Sequence, residues 1–135
     1  EKFKAGHQIV VTKLPWGNLG LSICYDLRFS NHYRQLMKKK ADFITVPSAF
    51  TKNTGERHWH VLIRSRAIEN FCYVFAPAQT GLHYNQRETY GHAMIVSPDG
   101  HILKEIKKEK GFIISEIDTK IIEKLRSEIP STKYD

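Results

Sequence analysis

Three consecutive segments near the start of the chain constrain its fold more than anything else in it. Leu19 to Cys24 reads as an apolar strand. Ser30 or Asn31 can cap a helix running to about Lys40, with Tyr33, Leu36 and Met37 at helical spacing, and Asp42 to Val46 reads as a buried strand closed by Pro47. Strand, helix, strand is the parallel crossover unit, whose helix packs back onto its own sheet. In open sheets built this way, functional groups collect at the carboxyl ends of the strands, where Cys24 and Pro47-Ser48-Ala49-Phe50 both fall.

The flanking segments extend the pattern. Gln8 to Lys13 alternates as a strand, and Pro15-Trp16-Gly17-Asn18 turns it into the strand that ends at Cys24. Thr51 to Gly55 reads as a polar loop before a second helix, Arg57 to Asn70, with Trp59, Leu62, Ile63 and Ile68 as its apolar stripe. Phe71 to Ala78 is a strand, Gln79 to Thr89 a polar loop, and Gly91 to Ser97 and His101 to Lys104 are strands across a Pro98-Asp99-Gly100 turn. Gly111 to Ile117 reads as one more strand, and Asp118 caps a last helix stopped by Pro130. The expected fold class is α/β with a mixed sheet. No internal repeat or low-complexity segment interrupts it.

At 135 residues the chain suits a single domain, 1–135, or part of one. No stretch approaches the roughly 18 to 20 apolar residues of a membrane span, so no membrane partner is expected. Two cysteines in unlike surroundings are not a disulfide framework, and Glu1-Lys2-Phe3-Lys4 is too polar for a secretory signal. The expected setting is cytoplasmic and reducing. A net charge of +7 could point to nucleic acid, but the basic residues are scattered. Lys38-Lys39-Lys40 ends a helix, Lys104 to Lys110 surround a turn, and Lys120, Lys124 and Arg126 share a terminal helix with Glu123 and Glu128. Without a zinc, RNA-binding or phosphate-loop motif, no nucleic-acid partner is expected.

The two cysteines read differently. Cys72 lies inside Phe71-Cys72-Tyr73-Val74-Phe75-Ala76 and reads as a small core residue. Cys24 sits where an apolar strand gives way to Tyr25, Asp26 and Arg28. A thiol reacts as thiolate, which nearby positive charge and the N–H groups of a helix start both favour, so Cys24 is a candidate nucleophile. His58, His60 and His92 are weak candidates for its partner; His58 and His60 point about 200° apart on a helix and cannot chelate one metal ion. No metal or other cofactor is expected. Arg66 and Glu69 have the spacing of a helical ion pair and read as a surface feature.

Taken together, Gly20-Leu21-Ser22-Ile23-Cys24-Tyr25-Asp26-Leu27-Arg28-Phe29, Pro47-Ser48-Ala49-Phe50, Gly55 with His58-Trp59, Arg64-Ser65-Arg66-Ala67-Ile68-Glu69-Asn70, Tyr90-Gly91-His92 and Ser97-Pro98-Asp99-Gly100 resemble the carbon–nitrogen hydrolase (nitrilase) superfamily. Within it they are most similar to the amidase branch of deaminated-glutathione amidase and ω-amidase. The resemblance runs in order along nearly the whole chain. It implies part of an α-β-β-α sandwich, homo-oligomerisation when complete, and a Glu-Lys-Cys triad that hydrolyses a small amide through a thioester. By resemblance Cys24 is the catalytic nucleophile, the Tyr25 backbone N–H is part of the oxyanion site, and Asp26 and Arg28 organise the turn around them.

In the family the Glu and Lys of the triad lie well upstream of the cysteine. The 23 residues before Cys24 hold no segment matching either motif: Lys2, Lys4 and Lys13 fall after the family's catalytic lysine, and Glu1 is too close to Gly6 to match its additional glutamate. The chain therefore resembles the C-terminal half of such an enzyme, N-terminally truncated and impaired alone, with a separate N-terminal half as a possible partner. The alternative is a catalytically dead fragment or an interaction half-domain.

Overall fold

A two-residue turn leads the chain into its sheet. In the computed structural model, which describes Lys4 and residues 6–134, β1 (Val11–Leu14) pairs antiparallel with β2 (Gly17–Leu21), and Leu14 lies opposite Gly17. Pro15 and Trp16 alone make the turn, and Gly17 and Asn18 belong to the strand. Glu1 and Lys2 lie outside the described residues.

The crossover forms as the periodicity predicts. From β2 the chain passes through a 3-10 turn (Cys24–Arg28) into α1 (Ser30–Lys38) and returns in β3 (Phe43–Thr45), which lies parallel to β2. Phe29, not Ser30 or Asn31, occupies the N-cap position, because its N–H closes the 3-10 turn onto the Asp26 carbonyl at 2.9 Å and the next residue is already helical. After α2 (Lys52–Asn70) the chain enters β4 (Tyr73–Ala76), parallel to β3, then β5 (Thr80–Leu82), β6 (Glu88–Tyr90), β7 (Ala93–Val96) and β8 (Ile102–Ile106). It ends in α3 (Lys120–Glu128) and a short 3-10 turn beginning at Pro130. The main sheet has the order β1-β2-β3-β4-β7-β8, parallel in its centre and antiparallel toward both edges, while β5 and β6 form a separate hairpin. It is a mixed sheet in an α/β fold.

Strand register assigns the two faces. Gly20, Ile44, Val74 and Val96 stand in one row across four strands and face α1 and α2. Tyr33 and Leu36 of α1, and Trp59, Ile63 and Ala67 of α2, are fully buried against them, each large one contributing roughly 1.5 to 3 kcal/mol. Ile68 turns outward, away from the stripe assigned to it. On the opposite face, Phe43 and Tyr73 pack with Ile122 of α3, and the Tyr73 hydroxyl pins the start of that helix by donating to the Asp118 carbonyl and accepting the Asp118 N–H. Among the described residues no helix is long and apolar enough to cross a membrane.

Three loop and strand expectations change. Thr51 to Gly55 is no loop but the boundary and first turn of α2, with Gly55 N–H donating to the Thr51 carbonyl at 2.8 Å. The apolar period starts only at Trp59, so these polar turns carry no signal. Gly55 is required there because a Cβ would collide with the Tyr90 ring. Gln79 to Thr89 contains β5 and most of β6. Gly111 to Ile117 is extended but unpaired among the described residues, since a strand pattern becomes a ladder only beside a second strand.

Candidate active site

β2 ends at Leu21, and the next residues are fastened to the end of β3. The Ser22 N–H and hydroxyl both donate to the Thr45 carbonyl, at 3.2 and 2.8 Å. With its one hydrogen so used, the Ser22 oxygen accepts from the buried Tyr33 hydroxyl at 2.9 Å. Burial pushes the Tyr33 hydroxyl above the ordinary phenol range, so this tyrosine stays protonated.

Cys24 follows in a left-handed backbone conformation, φ +43°, and its N–H donates to the Pro47 carbonyl at 2.9 Å. Such a conformation costs a residue with a Cβ about 1 to 3 kcal/mol and persists where its surroundings over-determine it. Those surroundings are visible. The Asp26 carboxylate accepts the Ile23 N–H at 2.9 Å, and the Asp26 N–H returns to the Ile23 carbonyl at 2.9 Å. The Tyr25 N–H, in the first turn, has no acceptor among the described residues. The Arg28 guanidinium lies 5.2 Å from the Phe50 ring and 5.7 Å from the Tyr25 ring, and donates to His58 Nδ1 at 3.3 Å. Since arginine is always protonated, this makes Nδ1 the unprotonated nitrogen of His58.

The half-buried thiol opens on a cleft of about 480 Å³ at the carboxyl ends of β2, β3 and β4, lined by Ile23, Cys24, Pro47, Ser48, Ala49, Pro77, Ala78 and Gln79. Its place at the parallel strand ends is where the crossover put it. Cys72 lies elsewhere, fully buried in the core, with its thiol pushed up to about 12 by burial. The two thiols thus occupy opposite chemical environments.

None of the candidate imidazoles lines this cleft. His58 is engaged with Arg28, His60 Nε2 meets Glu105 Oε1 at 2.7 Å on the far side of α2, and His92 Nδ1 donates to the Tyr90 carbonyl at 2.8 Å. Arg66 departs from its expected surface role. It is 5% exposed, and its Nε and Nη2 both donate to the Leu27 carbonyl, at 3.1 and 2.9 Å. Its position was recoverable, because it falls on the buried Trp59, Ile63, Ala67 and Asn70 side of α2. Ser22 and the Pro77-Ala78-Gln79 wall carry no such periodic signal.

Comparison with known proteins gives a consistent set of matches. The profile of the family described as Carbon-nitrogen hydrolase matches residues 1–127. The chain is 52% identical over 119 residues to the deaminated glutathione amidase of Synechocystis sp., covering 88% of this chain and 44% of that relative. The crystal structure of the NitFhit protein of C. elegans superimposes with a TM-score of 0.93 at 43% identity, covering 98% of this chain and 32% of that one. A Nesterenkonia sp. AN1 amidase, shown with acrylamide added to its active-site cysteine, matches with a TM-score of 0.78 at 25% identity, over 95% of this chain and 50% of its own. The chain thus spans about half or less of the length of each relative.

Proposed function

The chain belongs to the carbon–nitrogen hydrolase family, and from that premise we propose that it is the nucleophile-bearing part of an amidase whose Cys24 attacks the carbonyl carbon of a small amide. The observation that carries this reading is the backbone at Cys24, held in the left-handed region at a strand end with its thiol opening on the cleft. The thiolate forms a C–S bond, and the carbonyl oxygen becomes an oxyanion. The unclaimed Tyr25 N–H is the donor assigned to it, which puts a backbone dipole where charge develops. The oxyanion collapses, the C–N bond breaks, and the departing nitrogen leaves as ammonia or an amine after taking up a proton. Water then attacks the thioester, the C–S bond breaks, and the acid and the thiolate are released.

Asp26 and Arg28 organise this turn without touching the substrate: the carboxylate closes the turn at Ile23, and the guanidinium braces Tyr25, Phe50 and His58. The proton acceptor and the cation that stabilises the tetrahedral intermediate are a Glu and a Lys from a neighbouring stretch of polypeptide outside residues 1–135. The exposed side of the sheet supports such a neighbour. Leu21 is 41% exposed in one row with the half-buried Thr45 and Phe75 and the buried Ile95, and the unpaired Gly111 to Ile117 segment presents Phe112 and Ile114 at 82% and 73% exposure. Apolar surface of this kind marks a face that other polypeptide covers. The substrate class is that of its relatives, deaminated glutathione and related small amides.

Ammonia or amine release from deaminated glutathione and small primary amides tests the reading. The chain alone is expected to turn over little, because losing one oxyanion-stabilising group costs roughly 3 to 4 kcal/mol. Adding a family N-terminal half that carries the Glu and Lys is expected to restore turnover, which Cys24→Ser then abolishes. Restored release that survives Cys24→Ser overturns the nucleophile assignment. Appreciable Cys24-dependent release by the chain alone overturns the need for outside groups.

A further inference from the structure

The left-handed backbone at Cys24 needs something to hold it, and the strand-end hydrogen bonds fasten only the residues before and at the cysteine. After it, beside the Arg28 contacts with His58 and Phe50 and the buried Leu27 side chain, the backbone itself is gripped from α2. Arg66 reaches up from α2 and places two N–H groups on the carbonyl of Leu27, three residues beyond the cysteine. Its third arm, Nη1, pairs with Glu69 Oε2 at 2.9 Å, and its plane lies 5.3 Å from the Tyr33 ring. The Tyr33 hydroxyl donates to Ser22, two residues before the cysteine, and Ser22 is bonded to Thr45. One connected set of contacts, Thr45 to Ser22 to Tyr33 to Arg66 to Leu27, therefore grips the chain on both sides of Cys24.

We propose that Arg66 is a positioning residue for the nucleophile: by clamping the Leu27 carbonyl it fixes the turn that aims the Cys24 thiol and the Tyr25 N–H. The proposal rests on the reading of Cys24 as the nucleophile. A guanidinium that is 5% exposed carries a desolvation cost that an apolar side chain at the same point of the helix would not. What it supplies in return is a rigid fork whose Nε and Nη2 meet one oxygen while Nη1 meets a carboxylate. A lysine ammonium matches the charge but not that geometry. Glu69 orients the fork from the solvent side, its own side chain 42% exposed.

The test uses the full chain, with amide hydrogen exchange read residue by residue and iodoacetamide labelling of the two cysteines read by peptide mass. In Arg66→Gln and in Arg66→Lys, the amides of Cys24, Asp26 and Phe29 are expected to exchange at least about tenfold faster, the lower end for a lost charge-assisted hydrogen bond. The amides of Ile44 and Val74 are expected to stay within about twofold, Cys72 to remain unlabelled, and the pH profile of Cys24 labelling to change. Glu69→Gln is expected to speed the turn amides by about threefold. Turn amides that keep their rates while Cys72 stays protected overturn the proposal, as does full restoration by lysine. Should both Arg66 variants expose Cys72, Glu69→Gln decides: faster turn amides over a protected Cys72 support the clamp, and unchanged ones overturn it. Failure of Cys24 to label in the unaltered chain counts against the nucleophile reading instead, since the exchange rates do not depend on it.

Discussion

Labelling the native protein with iodoacetamide at pH 8 is expected to modify Cys24 and leave Cys72 untouched for hours. The contrast follows from two features of the buried thiol. Burial lifts it from an ordinary 9.0 to about 12, which at pH 8 lowers its thiolate fraction roughly thousandfold relative to an unperturbed thiol. It is also fully buried against α2, so reagent reaches it only when that region opens. For a domain of about 5 kcal/mol stability, a route through unfolding is slowed by more than about a thousandfold. Cys24 meets neither obstacle of position, because its thiol faces the open cleft. The assay is a time course of peptide masses in buffer and in concentrated guanidinium, where both cysteines should label at comparable rates. If Cys72 labels within about tenfold of the Cys24 rate in buffer, the burial reasoning is refuted. If Cys24 labels only in denaturant, the open cleft is refuted.

Two further expectations come from the core and its contacts. The raised Cys72 thiol means that its contribution to stability is present in full below about pH 9, where neither state is ionised, and is lost as pH rises through about 12, because the unfolded chain releases this proton first. Urea unfolding at pH 8 and 10.5 should therefore show Cys72→Ala losing about 2 kcal/mol less than the unaltered protein over that interval; an equal loss in both would contradict the shift. Gly55→Ala places a methyl group against the Tyr90 side chain near its own backbone, where no rotamer change relieves the overlap. It should destabilise by about 2 kcal/mol despite alanine's better helix propensity, whereas Gly6→Ala, with open space around it, should leave the midpoint in place.

What the sequence disclosed and withheld divides along a physical line. The crossover around Cys24 was legible because each of its parts carries its own period, and the parallel order of β2, β3 and β4 follows from joining them with helices. Cys72 was legible for the same reason: its neighbours are uniformly apolar, and the core closes around them. Thr51 to Gly55 was misread because a helix turn with no apolar residue looks like a loop until its contact with Tyr90 is known. Arg66 was misread because ion-pair spacing to Glu69 says nothing about which of the two is buried. The Leu27 carbonyl that claims it is 39 residues away in sequence, beyond the reach of any local pattern.

Gly111 to Ile117 shows the same limit of a local pattern. Its apolar run of Phe112, Ile113 and Ile114 with Ile117 beyond is strand-like in composition, yet β8 is paired with β7 and this segment has no ladder among the described residues. Strand propensity supplies a surface, and pairing needs a second chain segment at ladder distance. Its exposed Phe112 lines an apolar hollow with Phe75 and Ile95, the row that runs across the sheet from Leu21 and Thr45 beside the Cys24 turn. The apolar hollow and the Cys24 turn are therefore joined through one sheet. Polypeptide that covers the exposed Leu21 end of this row would lie beside the Cys24 turn, and burial there would also remove water from the thiol.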